Sequence, residues 1–134
     1  MQATILPFNT QSQNGRVYPL EAFVRDGGRL LAELNGTAVR GRLGYPDGEL
    51  LEADVSHHVS HFAIEDGCLV GEVEILNTPA GDKLREILDS VVFSPRSIGY
   101  VHNGGLVTID RIDCVCAIPK ADDAFLPTPA TEGA

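Results

Sequence analysis

The run from Val55 to Ser90 restricts the possible folds more than any other part of the chain. Two extended stretches, "VSHHVSHFAIE" and "CLVGEVEIL", flank the dipeptide Asp66-Gly67, a pair suited to the positive backbone angles of a two-residue turn between antiparallel strands. In the second stretch Leu69, Gly71, Val73 and Ile75 share one strand face. Thr78 then reads as a helix N-cap with Pro79 at the first helical position. Leu84, Ile87, Leu88 and Val91 supply the apolar stripe of a helix from about Pro79 to Ser90, and Asp82, Lys83, Arg85, Glu86 and Asp89 form its wet face.

The flanking sequence continues this β-rich pattern. "ATILPF" suits an opening strand, "TAVRGRLG" is extended, and "VVFSPRSIGYV" and "LVTIDRIDCVCAIP" are β-rich segments separated by the turn signal "HNGG". The polar stretch "NTQSQNGRVYP" turns at Asn14-Gly15. In "PLEAFVRDGGRLLAELNG", Leu20, Phe23 and Val24 stand at helical spacing, the pattern breaks at Gly27-Gly28, and Leu30, Leu31 and Leu34 resume it. This predicts a short helix followed by a second turn or helix. The expected class is α+β, a small, mostly antiparallel, barrel-like sheet with a few helices packed outside. Residues 1–119 are expected to form one domain that includes an N-terminal arm, and residues 120–134, restricted by proline, an extended C-terminal arm.

Charge and composition exclude several functions. No apolar run approaches the roughly 20 residues that a membrane-spanning helix needs. "MQATILPFNT" offers neither a basic region nor a long apolar one, so no secretory signal is expected and the chain is expected to work where it is made. A formal charge of -9 repels a phosphate backbone and argues against direct nucleic-acid contact. Cys68, Cys114 and Cys116 lack the spacing of a disulfide framework or zinc knuckle and are assigned to core packing. In "SHHVSH", strand alternation places His57 and His61 on one face and His58 on the other, short of the three or four protein ligands of a zinc site. These are read as ordinary histidines on a partly exposed strand, and His102 as a turn residue. No metal or other cofactor is expected.

Four segments, "NGRVYP", "GRLGYPDG", "VSHFAIEDGCLVGEVEILNTPAGDKLREIL" and "FSPRSIGYV", occur in that order. Together they resemble the prohead maturation proteases of tailed bacteriophages, whose fold is similar to that of the herpesvirus assemblin proteases. The resemblance runs from about Asn14 to Pro119 and implies that fold. In the family, a histidine stands in a "Gly-x-x-x-His-Pro"-like segment, and the nucleophile is the second serine of a "Ser-Ser-Arg-Gly"-like segment. The matching positions here are Tyr45, before Pro46, and Pro95, between Ser94 and Arg96. Proline has no hydroxyl, and a phenol with an ordinary pKa near 10 is a poor proton acceptor at neutral pH. Both chemical roles are vacant in this register.

A shifted register offers Ser94 or Ser97 as nucleophile with His58 or His61 as base. The two serines stand at odd separation and face opposite sides of a strand, so only one could serve. Ser60-His61 also has its own match in the family's hairpin strand, apart from the catalytic histidine. Arg96 matches the arginine that follows the nucleophile, and it either helps place an oxyanion-stabilising loop or only pairs with a carboxylate. The resemblance implies an inactive member used as a structural virion protein, a capsid cement or decoration protein made in the host cytoplasm and bound to the outer shell. Its expected partners are the major capsid protein and itself, with capsid symmetry favouring a trimer. The arms Met1–Tyr18 and Lys120–Ala134 would make the contacts, through Phe8, Phe125 and Leu126. The other readings are an active maturation protease cleaving scaffold and capsid proteins, and an assembly-time scaffold or protease-regulating protein.

Overall fold

A computed structural model describes residues 1–44 and 52–125. Within them lie β1 (Gln2–Pro7), α1 (Leu20–Gly36), β2 (Val39–Arg42), β3 (Val55–Glu65), β4 (Cys68–Ile75), α2 (Pro79–Ile87), β5 (Val91–Val101) and β6 (Val107–Pro119). Asp66 and Gly67 adopt φ of 51° and 77°, as a tight hairpin turn demands, and join β3 to β4 antiparallel. Antiparallel pairing extends this hairpin to a four-stranded sheet in the order β1-β4-β3-β2, while β5 and β6 form a second, longer hairpin.

The two sheets meet at β2 and β6. Leu43 bridges Ala117, and the Gly44 amide donates to the Ala117 carbonyl at 2.8 Å. On the other side β1 lies against β5, with no strand ladder joining them. The result is a half-barrel, closed at β2/β6 and open along the β1/β5 seam. Its interior is filled by Leu6, Phe23, Val59, Leu69, Leu84 and Val115, all buried. α1 crosses β3 and β6, and α2 packs on β3 and β4. This is the α+β, barrel-like arrangement that the sequence predicts. No helix among the described residues is long and apolar enough to cross a membrane.

Local chemistry accounts for the helices. The Thr78 hydroxyl accepts the Gly81 amide at 3.0 Å, capping α2 as its sequence indicates, and a 3-10 turn carries the chain on to Ser90. Asn9 accepts the first amide of α1, that of Leu20, at 3.1 Å. α1 departs from expectation because Gly27 and Gly28 do not divide it. Both take left-handed angles, φ of 70° and 81°, inside one continuous helix, so the break is a local distortion. Phe23, Leu30 and Leu34 face the core, whereas Val24 falls beyond the edge of that stripe and is exposed.

The N-terminal arm contains the opening strand that "ATILPF" predicts, and it is bonded into the fold. β1 is one outer strand of the sheet, and the terminal amine donates to the Val73 carbonyl and pairs with Glu72. Phe8, expected to reach a capsid partner, is buried against Phe23 with ring centroids 5.0 Å apart. Val17 is laced to the β5-β6 hairpin through Gly105 and Val107. Phe125 is half-buried beside Tyr18, at a centroid distance of 6.3 Å. Leu126 lies outside the described residues.

The pairing of β3 with β4 shifts register between Ser60 and Ala63, where His61 takes φ of 51°. The irregularity breaks strand alternation: His57 is buried and His61 exposed, so the two do not share a face as expected. Asn35, at the end of α1, holds this bulge by accepting the Phe62 amide at 2.7 Å and donating to the Phe62 carbonyl at 3.0 Å. Replacing Asn35 with Ala strips both backbone groups of their partner and is expected to cost roughly 2 kcal/mol in urea unfolding. An unchanged midpoint would show that the bulge stands without this clamp.

Candidate functional site

β5 and β6 carry the positions on which an enzymatic reading turns, and alternation gives this ribbon two faces. The inner face holds Val91 and Phe93 with Val115 and Ala117 in the main core; the outer face gathers Val92 with Cys114, Cys116 and Ile118 in a smaller cluster. Pro95 stands opposite Val115 and shares the inner face. Ser94 stands opposite Cys116 on the outer face and lines a cavity of about 190 Å³ in the β1/β5 seam, with Thr4, Ile5 and the Asp123–Phe125 segment. Ser97 stands opposite Ile112, a core residue.

The histidines are elsewhere. His58 lies in the four-stranded sheet between Arg40 and Glu74, and His61 is exposed with Ser60 as its partner at 3.1 Å. His102 bonds Thr108 near the tip of the long hairpin. No hydrogen bond among the described residues joins Ser94 or Ser97 to a histidine. Arg96 approaches Asp113 at 3.8 Å, in a partly exposed pair. Tyr45 lies outside the described residues.

His57 is the residue that sequence reasoning undervalued. It is fully buried, with its ring edge-on to Phe93 at 5.1 Å. Its Nε2 lies 2.8 Å from the Val115 carbonyl, which can only accept, so Nε2 carries the proton and donates. Nδ1, left with a lone pair, accepts the Ser56 hydroxyl at 2.8 Å. His57 therefore bolts β3 to β6 across the intervening β2. Gly41 makes this passage possible: a Cβ there would stand 2.0 Å from the Val115 oxygen and 2.1 Å from His57 Nε2. A glycine inside the short strand "VRGR" is the sequence signal that could have revealed the close approach.

This environment sets the chemistry of the ring. Burial, opposed in part by the Val115 bond and assisted by nearby His58, lowers the His57 pKa from 6.5 to about 4. With both nitrogens engaged, the ring holds strands together and has no lone pair free to take a proton from a serine. The thiols of Cys114 and Cys116 lie 3.5 Å apart. Cys116 donating to Cys114 pushes the latter's pKa down; the same bond and burial push Cys116 up. No group of three or more His, Cys, Asp or Glu among the described residues is placed to hold a metal.

No protein-family model matches the chain, and no curated protein matches it. Among solved structures it is similar to the capsid assembly protease of bacteriophage T4, with a TM-score of 0.67. The alignment covers 88% of this chain and 79% of that one, at 16% identity. The fold is that of a phage prohead protease. In this prohead protease-like fold, β5 is the strand on which the sequence resemblance sets the nucleophile position, now Pro95, and β6 is the strand that His57 secures.

Two outcomes follow for the His57 bolt. Gly41→Ala should destabilise the chain by at least about 2 kcal/mol, because the Val115 backbone and the buried His57 ring both have to move; urea unfolding measures this. Between pH 6.5 and 4 the unfolded chain binds a proton that folded His57 refuses, so acid favours unfolding. The stabilisation is complete above about pH 6.5, declines as pH falls towards 4, and changes no further below it. The wild type should lose roughly 3 kcal/mol more across this window than His57→Gln; equal losses would contradict the assignment.

Proposed function

We propose that the chain is a structural protein of a phage capsid, a cement or decoration protein that uses the prohead protease frame for attachment instead of peptide cleavage. The observation that carries this reading is the pairing of Pro95 with Val115: the matched nucleophile position has no hydroxyl, and the imidazole that reaches Val115 has both nitrogens engaged. The assembly role stated for the similar T4 protease supplies the capsid context. Acidity suits the outer shell, away from packaged nucleic acid. The partners on this reading are the major capsid protein and further copies of the chain. Phe8 is removed from the contact set by its burial, whereas Phe125 keeps a half-exposed ring.

Incubation with a fluorophosphonate, and with capsid and scaffold proteins, tests the reading. The expected result is no adduct at Ser94 or Ser97, intact target proteins, and co-sedimentation of the chain with assembled shells. A Ser94 adduct, with cleavage that Ser94→Ala abolishes, would establish the protease instead.

A further inference from the structure

A cleft of about 240 Å³ lies between the C-terminal half of α1, the start of β2 and the middle of β6. Leu30, Leu34 and Ile112 provide apolar lining, and Glu33, Arg40, Arg111 and Asp113 provide charged groups. Both carboxylates already have cations: Glu33 pairs with Arg29 at 2.9 Å, and Asp113 with Arg96 at 3.8 Å. Arg40 and Arg111 are exposed and have no hydrogen bond or ion pair among the described residues. With both lining carboxylates already paired to arginines outside the lining, Arg40 and Arg111 are the two lining charges left without a described counter-ion, in a chain with 10 Lys and Arg and a net charge of -9.

β2 supplies a second observation. It pairs with β3 along one edge, but on the other edge its side of the barrel is bridged, among the described residues, at Leu43 alone, beyond the cleft. The backbone of Val39 and Arg40 therefore borders the cleft on an edge with no strand ladder. Such an edge accepts an extended segment through main-chain hydrogen bonds, with specificity from alternate side chains. Here one side chain would meet Leu30, Leu34 and Ile112, and its neighbours would meet cations.

We infer that this cleft binds an extended acidic segment of a protein partner, with an apolar side chain on the Leu30–Leu34–Ile112 surface and carboxylates taken by Arg40 and Arg111. Guanidinium forks match carboxylates in geometry as well as charge, so the two arginines select acidic neighbours over amides of the same shape. The inference rests on the cleft alone and does not depend on the capsid reading.

The test uses the full chain, labelled with ¹⁵N, and the synthetic peptide Glu-Leu-Glu-Leu-Glu-Leu with its glutamine counterpart. The acidic peptide should shift the amides of Arg40, Arg111 and Ile112, and the glutamine peptide should bind about tenfold or more weaker. R40Q/R111Q should lose affinity to a similar degree while keeping the wild-type unfolding midpoint, since both side chains are exposed and unpaired. Equal binding of the two peptides, shifts confined to other surfaces, or undiminished affinity in R40Q/R111Q would each overturn the inference. Shell co-sedimentation of R40Q/R111Q reads the capsid question separately, because a variant that loses the peptide and still binds shells bears out the cleft and shows that attachment uses another surface.

Discussion

The hydrogen bond from His57 to the Val115 carbonyl passes over β2, and much of the molecule depends on the space that Gly41 leaves for it. β3 belongs to the four-stranded sheet and β6 to the separate hairpin. Among the described residues their connection at β2 has one strand bridge, Leu43 to Ala117, supplemented by this buried side-chain bond. A dry imidazole is stable here because it stays neutral and satisfies both nitrogens, one as donor and one as acceptor. The same arrangement holds Phe93 and Val115 in the core, on the inner face of the strand pair that contains Pro95.

Structure and chemistry are therefore in competition at this position. A general base must present a lone pair to a substrate or nucleophile at the pH where it works. His57 gives its lone pair to Ser56 and its proton to the backbone, which strengthens the barrel and removes the ring from such service. Pro95, two residues along β5 from Phe93, is the residue that the sequence resemblance matches to the nucleophile position, where acyl transfer would need a hydroxyl. The surfaces of this frame differ: an acidic overall charge, a seam between β1 and β5, and a cleft beside α1 lined by Arg40 and Arg111.

Much of the architecture was legible because it is encoded locally. Asp66-Gly67 determines a turn, Thr78-Pro79 starts a helix, and alternation in "CLVGEVEI" fixes a strand face within a few residues. The order of four short motifs carried the fold family, which the similarity to the T4 protease supports. What could not be read depends on partners distant in sequence. Nothing near Asn35 announces that it will hold Phe62, 27 residues away, or that this bulge will turn His61 outward. The burial of His57 depends on a carbonyl 58 residues downstream and on a glycine in a third strand. Phe8 looked like part of a loose arm because its partner, Phe23, belongs to a helix whose packing only the tertiary structure defines.

The central claim is that this protease frame serves as a shell component. Quantitative mass spectrometry of purified mature particles tests it most directly, by giving both the copy number and the intact mass of the chain. The account predicts full-length protein in numbers comparable to the capsomers, on the order of hundreds per particle if each capsomer is bound by symmetry-related copies. Trace amounts, or chains shortened by their own cleavage, would contradict it.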